Sequence, residues 1–164
     1  IESTIIDCTQ DHPRILRPGM ITADEIAQIT HLTIAKNSDE TPRVSGDLKS
    51  HYAPVTKTFL VGPKELTKHI ENNPSMVIIS RSKPNINKVI VHDARLPTQQ
   101  AQHDGKQQHW IIMPNDAQAY AHCLYEQLHF ADQLNCGVIL IEKTPNTQEW
   151  LGVCDRLQKA SCQL

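Results

Sequence analysis

The stretch WIIMPNDAQAYAHCLYEQLHFADQLNCGVILI, residues 110–141, decides the fold. It opens on the apolar run Trp110-Ile111-Ile112-Met113, which reads as a strand, and Pro114-Asn115-Asp116 then starts a helix. Tyr120, Leu124, Leu128, Ala131 and Leu134 form one apolar stripe, stopped at Asn135-Cys136-Gly137. Val138-Ile139-Leu140-Ile141 follows as a second strand. Apolar runs of this kind suit strands buried on both faces, as in a parallel sheet covered by helices.

The alternation extends in both directions. Thr58-Phe59-Leu60-Val61 is a short strand, and Gly62-Pro63 starts a helix that runs to about Ile70. Met76-Val77-Ile78-Ile79-Ser80 and Lys88-Val89-Ile90-Val91 read as two further buried strands. Residues 96–108 are polar, Gln-rich and aperiodic, the composition of a mobile loop. A last helix carries Trp150, Cys154 and Leu157 on one face, and Asp155-Arg156 reads as a salt-bridged surface pair. Together these predict a parallel or mixed α/β sheet covered on both faces. No G-x-G-x-x-G or Walker-type phosphate loop follows any strand.

Upstream, residues 36–49 shift to Asn, Ser, Asp, Pro, Arg and Gly, the composition of a linker and a natural domain boundary. They run into Ser50-His51-Tyr52-Ala53-Pro54. An aromatic in a linker must pack or bind something. Tyr52 could stack on a base and His51 could meet a phosphate, or both could pin the linker to a surface. The residues alone leave the two readings open.

At the start, ESTIIDCTQDHPRILRPG (residues 2–19) reads as a hairpin-like unit. It presents the hydroxyl of Ser3 from one strand and the guanidinium of Arg17 from the end of the next, a pairing suited to a small anionic or zwitterionic ligand. On spacing alone the structural reading, a sheet serine and a turn arginine, stands ahead. Thr22 and Glu25 form a capping box for a helix over 23–31, with Ile26, Ile29 and Leu32 at helical spacing. That helix begins just beyond Arg17, so its positive end could add to an anion site.

At 164 residues the chain is long enough for one ordinary domain or two small ones. Its 39% hydrophobic and 21% charged content is that of a soluble globular protein, and the 4% aromatic share makes the core mostly aliphatic. A net charge of −2 gives no basic footprint for nucleic acid, and no apolar run reaches membrane-spanning length. The start at Ile1, without Met and directly into a strand signal, reads as a piece cut from a longer chain. Five cysteines with no C-x-x-C pair fit reduced, mostly buried thiols of a cytosolic protein. His122, Cys123 and His129 match no common zinc spacing, so no metal site is expected.

ESTIID-T followed by ILRPG-IT resembles the end of the catalytic domain of the YrdC-like family, the threonylcarbamoyl-AMP synthases. SG-L-SHYAP resembles the linker motif of the long, two-domain form, with Ser45 where a proline often precedes the glycine. MP-D---YA--LY--L--AD, I-IE--P and W--V-DRL-KA resemble that form's Rossmann-like C-terminal domain. The resemblance implies three segments. Residues 1–35 would be an incomplete C-terminal piece of a YrdC-like α/β domain, 36–56 the linker, and 57–164 a three-layer, Rossmann-like domain.

By the same resemblance, the whole enzyme joins L-threonine, bicarbonate and ATP, with Mg2+ accompanying the nucleotide, into threonylcarbamoyl-AMP and pyrophosphate. This is a step toward the threonylcarbamoyladenosine (t6A) of tRNA, in the cytoplasm and upstream of t6A transfer proteins. Ser3 matches the threonine-pocket serine, Arg17 the arginine that contacts ATP, and His51 and Tyr52 the strap over the nucleotide. Thr4 and Asp7 also match the motif and are assigned structural roles. No catalytic base and no tightly bound cofactor emerge. The family's lysine-arginine and serine-asparagine motifs lie upstream of anything matching Ile1, so these residues alone are expected to be inactive, with apolar faces uncovered on 1–35. Alternatives are a related carbamoyltransferase, which should lack HYAP, and a regulatory, protein-interaction or RNA-binding module of a translation factor. The acidic balance speaks against RNA, and direct tRNA contact stays open.

Overall fold

The structure is a computed structural model that describes residues 1–35, 42, 44–45, 53–70, 73–83, 85, 89–97 and 106–161. Its centre is a five-stranded parallel sheet of β3 (Thr58–Val61), β4 (Met76–Ser80), β5 (Ile90–Asp93), β6 (Gln108–Ile112) and β7 (Ile139–Glu142), in the order β3-β7-β4-β6-β5. Register sorts the side chains into two faces. Ile79 pairs with both Ile111 and Ile141, and this row packs against α3 (Ala117–Gln133) and α4 (Leu151–Ser161). Ile78 pairs with Trp110 and Leu140, and that row meets Leu66 and Ile70 of α2 (Pro63–Ile70) on the other face. The result is the three-layer α/β arrangement expected from the alternation.

Local chemistry explains the helix ends. Asp116 caps α3 by accepting from the Ala119 N–H at 2.8 Å, and the helix stops where Asn135 takes a left-handed φ of 53°. Pro63 opens α2 without needing an N–H partner, while the Glu65 carboxylate turns back to the Gly62 N–H at 2.9 Å. Trp110 is buried with its indole N–H bonded to Ser80 Oγ (2.9 Å) and the Ser82 carbonyl (3.0 Å), so its burial leaves no polar atom stranded.

Three expectations change. β5 is an edge strand on which Ile90 and Val91 are exposed, because among the described residues only β6 pairs with it. A Val/Ile run therefore marked strand but not burial. The β6 strand begins at Gln108, two positions before the apolar run, and the Gln108 amide is anchored to the carbonyls of Ile70 and Asn73. Trp150 lies in a short 3-10 turn (Gln148–Trp150) ahead of α4, with Leu157 buried and Cys154 half-buried beyond it. Residues 98–105, where a mobile loop was expected, lie outside the described residues.

The first residues form an antiparallel hairpin of β1 (Ile5–Asp7) and β2 (Arg14–Arg17), followed by α1 (Ala23–Thr30) with the expected Thr22/Glu25 capping box. Of α1's apolar residues Ile26 is buried, whereas Ile29 is 80% exposed; Ile21 and Leu32 are exposed too. The hairpin does not stand apart: Ile1 and Met20 pack against the α3–α4 core.

Candidate functional site

Arg17, at the end of β2, has a side chain that runs inward. It is 8% exposed and donates from Nε and Nη2 to the Ser3 carbonyl (3.2 and 3.1 Å) and from Nη1 to the Ser45 carbonyl (2.7 Å). All of these acceptors are neutral, and among the described residues no carboxylate lies within ion-pair distance of Arg17. Ser3, two residues before the bonded part of β1, is exposed, and its backbone carbonyl is what meets that guanidinium. The two sequence-predicted residues are therefore neighbours, joined through Ser3's own backbone.

Gly19 allows this closeness. A Cβ there would lie 2.3 Å from the Thr4 nitrogen, so only glycine lets Pro18-Gly19 cross over Ser3-Thr4. The Thr4 hydroxyl ties the crossing by donating to the Ile21 carbonyl at 2.9 Å. Asp7 serves the turn: its carboxylate accepts from the Thr9 N–H and hydroxyl and pairs with Arg14 at 3.1 Å, and the Thr9 bonds foremost hold it below the usual aspartate range.

The linker touches this edge at one end and α3 at the other. Beyond the Ser45–Arg17 bond, the Asp132 carboxylate accepts from the Val55 N–H (3.1 Å) and from the Thr56 N–H and hydroxyl (2.9 and 2.6 Å). Ala53 and Pro54 line a cavity of about 220 Å³ with Tyr125, Leu128 and His129. His51 and Tyr52 fall between the two anchors and lie outside the described residues.

A second cluster went unread in the sequence. Glu2 accepts from the Tyr125 hydroxyl at 2.6 Å and from Arg156 Nε at 2.7 Å. Burial works against the Glu2 charge, yet these bonds bring its pKa down to about 2. Arg156 also pairs with Asp155 and donates to the Pro18 carbonyl at 3.3 Å. The expected surface pair is thus half right: Asp155 and Arg156 are salt-bridged, but Arg156 is 3% exposed because it turns under the hairpin. The pairing of Tyr125 with Glu2 across 123 positions left no local signal.

At the carboxyl edge of the sheet, Glu142 accepts from the Arg81 N–H (2.8 Å) and pairs with its guanidinium (3.5 Å), which sits over the Trp150 ring. The described residues contain no group of three or more His, Cys, Asp or Glu arranged to hold a metal. No helix among them is long and apolar enough to cross a membrane. Cys8, Cys123, Cys136 and Cys154 are free thiols.

Residues 21–162 match the family described as threonylcarbamoyl-AMP synthase, C-terminal domain. A threonylcarbamoyl-AMP synthase of Pyrococcus abyssi is 28% identical over 168 residues, covering 98% of this chain and 46% of that protein. Among solved structures, P. abyssi Sua5 complexed with L-threonine superposes with a TM-score of 0.64 at 24% identity, over 98% of this chain and 45% of that one. A doubly substituted form of the same protein gives the same values. The chain thus spans about half the length of the relatives it matches.

Proposed function

Since the chain belongs to the family of threonylcarbamoyl-AMP synthase C-terminal domains, we propose that it is the C-terminal part of an L-threonylcarbamoyladenylate synthase. The whole enzyme would join L-threonine, bicarbonate and ATP, forming the carbamate N–C bond with loss of water and breaking the bond between the α- and β-phosphates to release pyrophosphate. Mg2+ arrives on the triphosphate as part of the substrate. The product feeds t6A formation on tRNA, in the cytoplasm, through transfer proteins downstream.

In this reading residues 1–35 complete the edge of a catalytic domain, 36–56 form the strap, and 57–164 form the supporting α/β domain. Ser3 faces threonine; Arg17, His51 and Tyr52 face the nucleotide. The exposed Ile21, Ile29 and Leu32 meet the remainder of the catalytic half.

The observation that carries the reading is the state of Arg17. Burying a guanidinium costs several kcal/mol unless a charge answers it, and only neutral carbonyls do so among the described residues. Among the described residues three of its N–H groups are used, which leaves two of the five to meet a phosphate. The anchored strap agrees: Ser45 on Arg17 and Thr56 on Asp132 bracket the His51-Tyr52 pair, as a lid over a water-sensitive carbamate requires. The similar P. abyssi protein was crystallised with L-threonine.

Titration calorimetry on the polypeptide that carries this chain with its catalytic half tests the assignment. Ser3→Ala should weaken threonine more than ATP, and Arg17→Ala the reverse. Equal losses of both ligands in the two variants would remove the separate roles.

A further inference from the structure

One buried arginine of the α/β domain holds both ends of the candidate site. Arg156 contacts Glu2, the residue immediately before Ser3, and Pro18, the residue immediately after Arg17. Ser3 and Arg17 are themselves joined by two hydrogen bonds to one carbonyl. The seam around them is tight: a Cβ on Gly152 of α4 would lie 2.6 Å from the Gly19 oxygen and 2.9 Å from Ile1 Cδ1. Tyr125 of α3 fixes the same Glu2 oxygen that Arg156 holds, and Lys159 and Arg156 share Asp155.

For adhesion alone this is an inefficient design. A packed apolar side chain would join the surfaces without the desolvation cost of a buried guanidinium. What the fork offers instead is direction, because it meets a carboxylate and a carbonyl at fixed angles and so fixes the two strand ends relative to each other.

We infer that Arg156 is a positioning residue through which the α/β domain sets the spacing of Ser3 and Arg17, and with it the threonine and triphosphate sites. The inference rests on the functional reading above. It gives the α/β domain a role in the chemistry although it contributes no group to the reacting atoms.

The test uses the full-length polypeptide with Arg156→Met, Arg156→Lys and Glu2→Gln. Two readouts are taken: threonine and ATP affinity by calorimetry, and amide hydrogen exchange of the hairpin. Arg156→Met should raise both dissociation constants by about tenfold, as misplacement of binding groups by a fraction of an ångström does. Amides of β1 and β2 should exchange about tenfold faster while those of β4 and β7 keep their protection. Arg156→Lys, a point charge that can reach Glu2 but cannot also hold Pro18, should recover only part of the affinity. If Arg156→Met does not fold, Glu2→Gln should move both readouts in the same direction. Unchanged affinities in the folded variant, with or without a lower melting temperature, overturn the inference. A wild-type protein that binds neither ligand defeats the functional reading instead, and hydrogen exchange then decides the latch by itself: unaltered hairpin exchange overturns it.

Discussion

Arg156 Nε lies 2.7 Å from the Glu2 carboxylate across 154 positions of sequence, so this bond ties the hairpin segment to α4. Its acid dependence follows from the direction of the Glu2 shift. Burial opposes the charged form, but the Tyr125 and Arg156 bonds lower the pKa from an ordinary 4.5 to about 2. A carboxyl with a depressed folded-state pKa contributes stability that is whole above pH 4.5 and is lost as pH falls toward about 2. Glu2→Gln should therefore lower the melting temperature at pH 7 and flatten its decline between pH 4.5 and about 2. Calorimetric scans of both proteins across that window check it; parallel curves would contradict the assignment.

Gly152 and Gly137 predict a large and a negligible cost for one substitution. In α4, alanine gains about 1 kcal/mol over glycine in helix propensity. At Gly152 the new methyl would meet the Gly19 carbonyl at 2.6 Å, a backbone atom that cannot rotate away. The clash outweighs the gain, and Gly152→Ala should cost about 1–3 kcal/mol. A Cβ on Gly137 meets the Ser75 oxygen at 3.5 Å, ordinary contact, so Gly137→Ala should stay within about 0.5 kcal/mol. Urea unfolding of the pair measures the difference.

The four described thiols should react in order of exposure. Cys8 lies open in the β1–β2 turn, whereas burial pushes the Cys123 thiol up to about 11 and Cys136 is enclosed. Since the thiolate is the nucleophile, alkylation at pH 8 should modify the exposed Cys8 first, and Cys123 at least about a hundredfold more slowly than an ordinary thiol. Mass spectrometry of the labelled peptides reads the order. Fast labelling of Cys123 in folded protein would mean that the α3 seam opens.

What the sequence made legible was whatever is decided within a few residues. The Thr22/Glu25 box, the Asp116 start and the Tyr120–Leu124–Leu128 stripe were readable because cap and stripe depend only on near neighbours. Val91 was misjudged because strand propensity is local but sheet position is not, and the edge place of β5 is set by topology. Arg156 was misjudged for the same reason. Its neighbour Asp155 is adjacent, while the partners that bury it lie at the other end of the chain. In the candidate site, Ser3 and Arg17 could be named from motif, but the bond between them runs through a backbone carbonyl that no side-chain pattern reveals.

Arg81 and Glu142 close the carboxyl edge of the sheet, and their inequality yields the last prediction. Glu142 is buried and accepts both the Arg81 N–H at 2.8 Å and its guanidinium at 3.5 Å, while Arg81 remains partly exposed over the Trp150 ring. Arg81→Met keeps the backbone bond but leaves a buried carboxylate without its cation, which should cost about 2 kcal/mol, less than a fully buried pair because water reaches the arginine side. Glu142→Gln removes the charge while its amide oxygen still accepts from Arg81, so about 1 kcal/mol is expected. Losing the guanidinium also uncovers the indole, so Arg81→Met should red-shift Trp150 emission in a Trp110→Phe background, whereas Glu142→Gln should not. Denaturant titrations followed by tryptophan fluorescence report both quantities at once. A Glu142→Gln variant more destabilised than Arg81→Met would reverse the assignment of which partner depends on the other.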